Sequence, residues 1–192
     1  MKFEIHTATL RAAVQFAAVK DVRYYLVGLY VTKDRIVATD GHVMGVFKVP
    51  GAAGDVILPL ALVQQVIKAA KKAGLVEVEI LEGKVSMTVG GATFGGALID
   101  GTFPDYRRVI PATVPSEGAT AQFDPALIER AYAGVAAYYG VKPNVLRLEH
   151  NGPAPGVVWN PNDIGALGIV MPMRSDANAE ELTARLRWAK ED

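Results

Sequence analysis

Asp40 and His42, two residues apart in the run Thr39-Asp40-Gly41-His42, offer a carboxylate and an imidazole, the pair a hydrolase uses to move a proton. The surrounding sequence argues against that use. Asp40-Gly41 is a hairpin-turn signal, no serine lies nearby, and no second basic group marks a nucleophile. The chain has no cysteine, which removes thiol nucleophiles, disulfides and thiolate metal sites. Its three histidines, His6, His42 and His150, are far apart and give no metal-ligand spacing. Gly90-Gly91 and Gly95-Gly96 lie in β-rich sequence with no helix behind them, so they predict bulges rather than a phosphate loop. No catalytic residue, metal or cofactor is assigned.

Two other groups point to binding. Lys68, Lys71 and Lys72 fall at i, i+3 and i+4 of one amphipathic stretch, with Gln64 and Gln65 upstream, opposite an apolar stripe. Three ammoniums on one helical face can meet phosphates without reading bases, although the same pattern also suits a solvated face near a helix C-terminus. Arg11 and Lys20 add weakly on the first helix, and Arg130 and Lys142 on the third, where Glu129 offsets charge. Met171-Pro172-Met173 puts two thioethers on one face of a strand end and a proline between them, which suits either core packing or an adaptable pocket at a strand edge.

These residues are carried by 192 residues that are 51% hydrophobic and 21% charged, with twenty Lys+Arg against twenty Asp+Glu. Such a chain supports a core and has no global field for nucleic acid, so any such contact comes from local segregation of charge. With no signal-like segment and no 18-residue apolar run, the reading is a soluble, cytoplasmic protein.

The elements repeat. A unit of strand, helix and three strands is written three times, over residues 1–50, 54–111 and 121–175. Copy one has a strand over 2–6 and a helix over about 10–20 with Leu10, Ala13, Val14 and Ala17 on its apolar stripe. Copy two has Pro59 at its helix start, a helix over 60–73 and a stripe of Val63, Val66, Ile67 and Ala70. Copy three opens with a strand ATAQF, then Asp124 as N-cap and a helix to about Tyr139. Copies one and two pair around a shared core as one domain, 1–111; residues 112–120 read as a linker, and copy three is a half without a mate. Residues 176–192 form an amphipathic helix, with Asn178 and Glu181 as a capping box and Leu182, Leu186 and Ala189 as its stripe. The fold class is α+β, with helices on one face of antiparallel sheets.

VRYYLVGL, ATDGH and LIDGTFPDYRRVIP together closely resemble the middle domain of the bacterial replicative sliding clamp, the beta subunit of DNA polymerase III. ALGIVMPMR resembles the last strand of that clamp's C-terminal domain, and the resemblance runs over about 20–111 and 164–174. It implies the DNA-clamp fold: a closed ring of twelve half-domains, helices lining a hole for double-stranded DNA, bound without sequence specificity. Arg11, Lys20, Lys68, Lys71, Lys72, Arg130 and Lys142 then face DNA. The resemblance also implies a pocket for a short peptide of the polymerase or the clamp loader. Carried over, it maps to Leu26, Thr39, Gly41, His42, Pro104, Arg108, Val109, Met171, Pro172, Met173 and Arg174, with Val43 and Met44 where the family often has a basic residue and Leu, and Ile169 completing the floor.

Three halves per chain imply a homo-oligomer of four chains. A ring read one-two-three, three-two-one keeps the alternation of halves and sets copy three against copy three and copy one against copy one. The resulting function is a non-enzymatic processivity factor; the alternative is a clamp-derived adaptor or decoy that binds clamp-motif peptides without encircling DNA.

Overall fold

The computed structural model describes residues 1–70, 74–110, 121–150, 152 and 154–173. Copy one comprises β1 (Lys2–His6), α1 (Thr7–Ala13), β2 (Gly28–Thr32), β3 (Arg35–Thr39) and β4 (Val43–Lys48). Copy two comprises β5 (Val56–Pro59), α2 (Leu60–Ala69), β6 (Leu75–Leu81), β7 (Lys84–Val89) and β8 (Ala92–Ala97). Copy three comprises α3 (Pro125–Tyr139), β9 (Arg147–Glu149), β10 (Gly156–Asn160) and β11 (Asp163–Val170). Of the expected opening strand of copy three, ATAQF, residues 119 and 120 lie outside the described residues, and the described 121–123 make one isolated bridge, Gln122 to Met173.

Local chemistry sets the helix ends. Asp124 accepts the Ala126 N–H at 2.8 Å, Pro125 fills the first helical turn, and Gly140 at φ 62° stops α3 in the left-handed region. α1 starts at Thr7, directly after β1, and ends at Ala13 rather than running over 10–20. Its last turn tightens through Gln15 N–H to Ala12 O and Phe16 N–H to Ala13 O, which turns Phe16 inward. Phe16 is fully buried, and its ring fills the gap that Gly45 of β4 and Gly134 of α3 leave by having no Cβ. α2 ends at Ala69, short of the expected 60–73, and Lys71 and Lys72 lie outside the described residues.

Two antiparallel sheets result, in the orders β1-β6-β7-β8 and β5-β2-β3-β4-β11-β10-β9. Copies one and two exchange opening strands, β1 running beside β6 and β5 beside β2. Copy three joins the other side of copy one, where β11 pairs β4 with Gly168 opposite Gly45. The order in space is therefore two-one-three, which corrects the one-two-three expected from adjacency in sequence. Copy three does have a neighbour; among the described residues the four-stranded sheet ends in β1 and β8, and the seven-stranded sheet in β5 and β9.

The helices cover one face, where Leu10, Val63, Val66, Val135 and Phe47 share one core. On the other face Leu26, Val37, Val46, Ile169 and Tyr106 form a second cluster. Strands β3 and β4 thus bury both faces, which explains their nearly unbroken apolar runs.

Candidate functional site

The second cluster opens into a cleft of about 220 Å³ where copy one meets copy three. Its floor is Leu26, Val43, Met44 and Ile169, each under 5% exposed. β4 and β11 supply this floor because their pairing sets Met44 opposite Ile169 and Val43 opposite Val170. The rim holds Thr39, Gly41, His42, Pro104, Val109 and Met171. Met171 is tied to the rim by its N–H, which donates to His42 O at 3.1 Å. Pro172 and Met173 follow it without lining the cleft; Arg108 is exposed beside it, and Arg174 lies outside the described residues.

Four lining residues were not singled out from sequence: Arg23, Phe103, Asp105 and Tyr106. Phe103 and Tyr106 are buried, and Phe103 stacks on Tyr30 with ring centroids 4.7 Å apart. Asp105 caps the short turn Tyr106–Val109 by accepting the Arg107 N–H. The signal was present in FPDYRRVIP: two aromatics three residues apart around a proline and an aspartate.

The loop Thr39–Val43 is rigid by construction. Thr39 Oγ1 donates to Val43 O at 2.8 Å and accepts the Gly41 N–H at 3.0 Å. Asp40 Oδ1 accepts the His42 and Val43 N–H groups at 2.9 and 3.0 Å. Gly41, at φ 93°, holds a conformation that L side chains rarely adopt, and a Cβ there would meet the Arg23 guanidinium. Arg23 itself is gripped by Asp21, at 2.6 and 3.0 Å, and donates to Asp40 O. Its hydrogen bonds hold the Asp21 carboxyl down at about 2.

The second oxygen of Asp40 accepts Arg130 Nη1 at 2.7 Å. Burial pushes the Asp40 carboxyl up, but hydrogen bonds from the His42 N–H, Arg130 and the Val43 N–H together outweigh it and hold the group below its ordinary range. A carboxylate held by three donors is a structural anchor, not a base, and its contact with His42 is to that residue's backbone rather than to its ring.

Arg130 also donates to Gln15 O through Nε and Nη2, at 3.1 and 2.9 Å, so it ties α3 to the end of α1 and to the cleft loop. Arg11 likewise donates to Ala70 O at the C-terminus of α2, at 2.7 Å. Lys20, Lys68 and Lys142 are exposed.

A family model described as DNA polymerase III beta subunit, central domain, matches residues 4–105, more than half of the chain. The chain belongs to the DNA polymerase III beta subunit family. It is similar to the beta sliding clamp of Caulobacter vibrioides, 40% identical over 106 residues, covering 48% of this chain and 28% of the relative. The beta sliding clamp of Escherichia coli K12 is 33% identical over 161 residues, covering 77% of this chain and 43% of the relative. This family member spans about half or less of the length of the curated relatives it matches. Among solved structures, the Bacillus subtilis DNA polymerase sliding clamp superposes with a TM-score of 0.72 at 15% identity, covering 91% of this chain and 64% of that one. A Pseudomonas aeruginosa DNA polymerase sliding clamp gives 0.65 at 21% identity over the same share of this chain. The DNA-clamp fold of this family member is thereby established.

Proposed function

We propose that this chain acts as a non-enzymatic processivity factor in the cytoplasm. It encircles duplex DNA as part of a closed ring and tethers a polymerase, and the loader that places it, by gripping a short peptide in the cleft. The observation that carries this reading is the cleft itself. Motifs about 130 residues apart in sequence, Thr39–Met44 and Ile169–Met171, meet over a floor that takes apolar side chains, beneath a rim fixed by Asp40, Arg23 and Arg130. Tethering turns repeated polymerase encounters into an effectively intramolecular event, so modest peptide affinity suffices. Of the expected DNA-facing cations, exposed Lys68, Lys20 and Lys142 suit transient phosphate contact, and Lys71 and Lys72 belong to the same run of sequence. Four chains give the ring its twelve halves, now in the order two-one-three, three-one-two.

Retention on closed circular DNA that is lost on linearisation tests encirclement. Reversing Lys68, Lys71 and Lys72 to Glu should weaken that retention without unfolding the chain. Unchanged, salt-dependent retention would overturn the pore assignment.

One observation favours the second reading, an adaptor or decoy that binds clamp-motif peptides away from DNA. Arg11 and Arg130 point their guanidinium groups into the protein, which thins the cationic face. Peptide affinity with no topological retention on DNA at any concentration would establish it.

A further inference from the structure

Copies one and two supply a template for how a half is completed. In each, the opening strand runs beside the neighbour's second strand: β1 beside β6, and β5 beside β2. The opening strand of copy two also stays tied to the end of its own copy, since the Ile99 N–H donates to Ile57 O at 3.0 Å. Copy three repeats that tie, with the Met173 N–H donating to Gln122 O at 2.7 Å. Ile57 and Gln122 each stand three residues before the first residue of their helix, Leu60 or Pro125. Gln122 is therefore the counterpart of Ile57, and β9 is the counterpart of β2 and β6. Yet among the described residues no strand lies on the outer side of β9, and no strand receives the opening segment of copy three.

The vacancy has a register. Glu4, three residues before α1, faces Glu77; Glu77 faces Thr88, and Thr88 faces Thr93, which precedes Ile99 by six residues. Six residues before Met173 stands Leu167, which faces Trp159, which faces Arg147. An incoming opening segment thus sets its Gln122 opposite Arg147 and its Phe123 opposite Leu146. The equivalent pairs in the finished copies, Leu58 with Leu29 and Ile5 with Val76, are fully buried on the core face. Leu146 is already buried and Phe123 only half so.

A second observation points to the same edge. Among the described residues three buried side-chain atoms have no hydrogen-bond partner: Glu149 Oε2, His150 Nδ1 and Trp159 Nε1. All three belong to the β9–β10 pair or the residue that follows β9, and a buried polar atom left unpaired loses the water it gave up without a partner in return. The nine residues 112–120 that separate copy two from copy three are too few to hold a missing half. A second copy of this chain offers both things required, an opening segment and a strand edge that no strand of the described residues pairs.

We propose that copy three is completed by copy three of a second chain, the two exchanging opening segments about a two-fold axis so that Gln122 of each lies opposite Arg147 of the other. This deepens the ring reading by naming the joint that would link chains in pairs. Isologous contact follows from the symmetry, because segment and receptor sit on the same half.

The absence of cysteine makes disulfide trapping clean. Gln122→Cys and Arg147→Cys are made as two separate full-length proteins, both sites being exposed. Mixed and mildly oxidised, they should form a disulfide-linked heterodimer at about tenfold or more the yield of either alone, because the joint raises the effective thiol concentration. In the wild type, amide protection of residues 147–149 should rise with protein concentration. The proposal is overturned if the mixture links no better than the single variants. A Gln122→Cys/Arg147→Cys chain that closes its disulfide within a monomer, or β9 amides that exchange equally at all concentrations, would overturn it too. Linking without retention on circular DNA keeps the joint and removes the ring; retention without linking removes the joint alone.

Discussion

Helix α1 has two neighbours, and each contact is bridged by one arginine, yet the two are built differently. Toward α3 the backbones close on Phe16 through Gly45 and Gly134, and Arg130 reaches past the end of α1 to Asp40 in the cleft loop. Toward α2 the halves are bound mainly by their exchanged strands, and Arg11 meets a helix-terminal carbonyl. The first joint is continuous with the cleft, whereas the second only holds halves together. Damage on the α3 side should therefore reach peptide binding, and equal damage on the α2 side should not.

The largest effect is expected from Gly134→Ala. The added methyl overlaps the Phe16 ring, so α3 must shift, at a cost of about 1–3 kcal/mol for overpacking a tight core. Thermal denaturation checks this, and a neutral result would mean α3 sits less tightly than described. Arg130→Ala is next. It removes the bonds to Gln15 O and strands a half-buried carboxylate at Asp40, for about 2 kcal/mol, and peptide affinity should fall with stability. Titrating a clamp-motif peptide by calorimetry reads that coupling.

Arg11→Ala is the control on the other side of α1. Losing one charge near a helix C-terminus costs about 0.3–1 kcal/mol, and peptide affinity should not change. If Arg11→Ala weakens the peptide as much as Arg130→Ala does, the contrast between the joints fails. Acid sharpens the contrast further. Because the folded Asp40 carboxyl lies below its ordinary range, its contribution is fully present above the unfolded value, about pH 4, and is lost as pH falls through the folded one. The acid limb of a stability-pH profile should thus be shallower in Arg130→Ala than in the wild type.

The parts legible in sequence were those where local chemistry and tertiary demand agree. β1 and the start of α2 came out at their stated residues, and α3 follows the cap at Asp124. The cleft loop was visible because Asp40-Gly41 is a turn signal with one structural solution. α1 was misplaced because no side chain caps its start, and because Phe16 is drawn off the helical path to fill the gap beside Gly134. The order of the copies was misread because adjacency along the chain was taken for adjacency in space. The contrary signal lay in VMGVF, a charge-free run that marks a strand covered on both faces, and β4 accordingly pairs β11. The ties of Arg130 were hidden for a related reason: composition assigns a charge to a helix, but only the fold shows that its reach ends on Asp40.

Strand β8, an outer strand of the four-stranded sheet, reads Ala-Thr-Phe-Gly-Gly-Ala and carries no charged side chain. Proteins that keep such an edge exposed usually guard it with lysine, proline or a bulge, because bare backbone donors and acceptors recruit stray strands. An unguarded edge makes solubility a collective property. The chain should stay in solution in proportion to how completely its edges find their mates, so overproduction beyond the supply of a true partner should appear as precipitate before it appears as surplus activity.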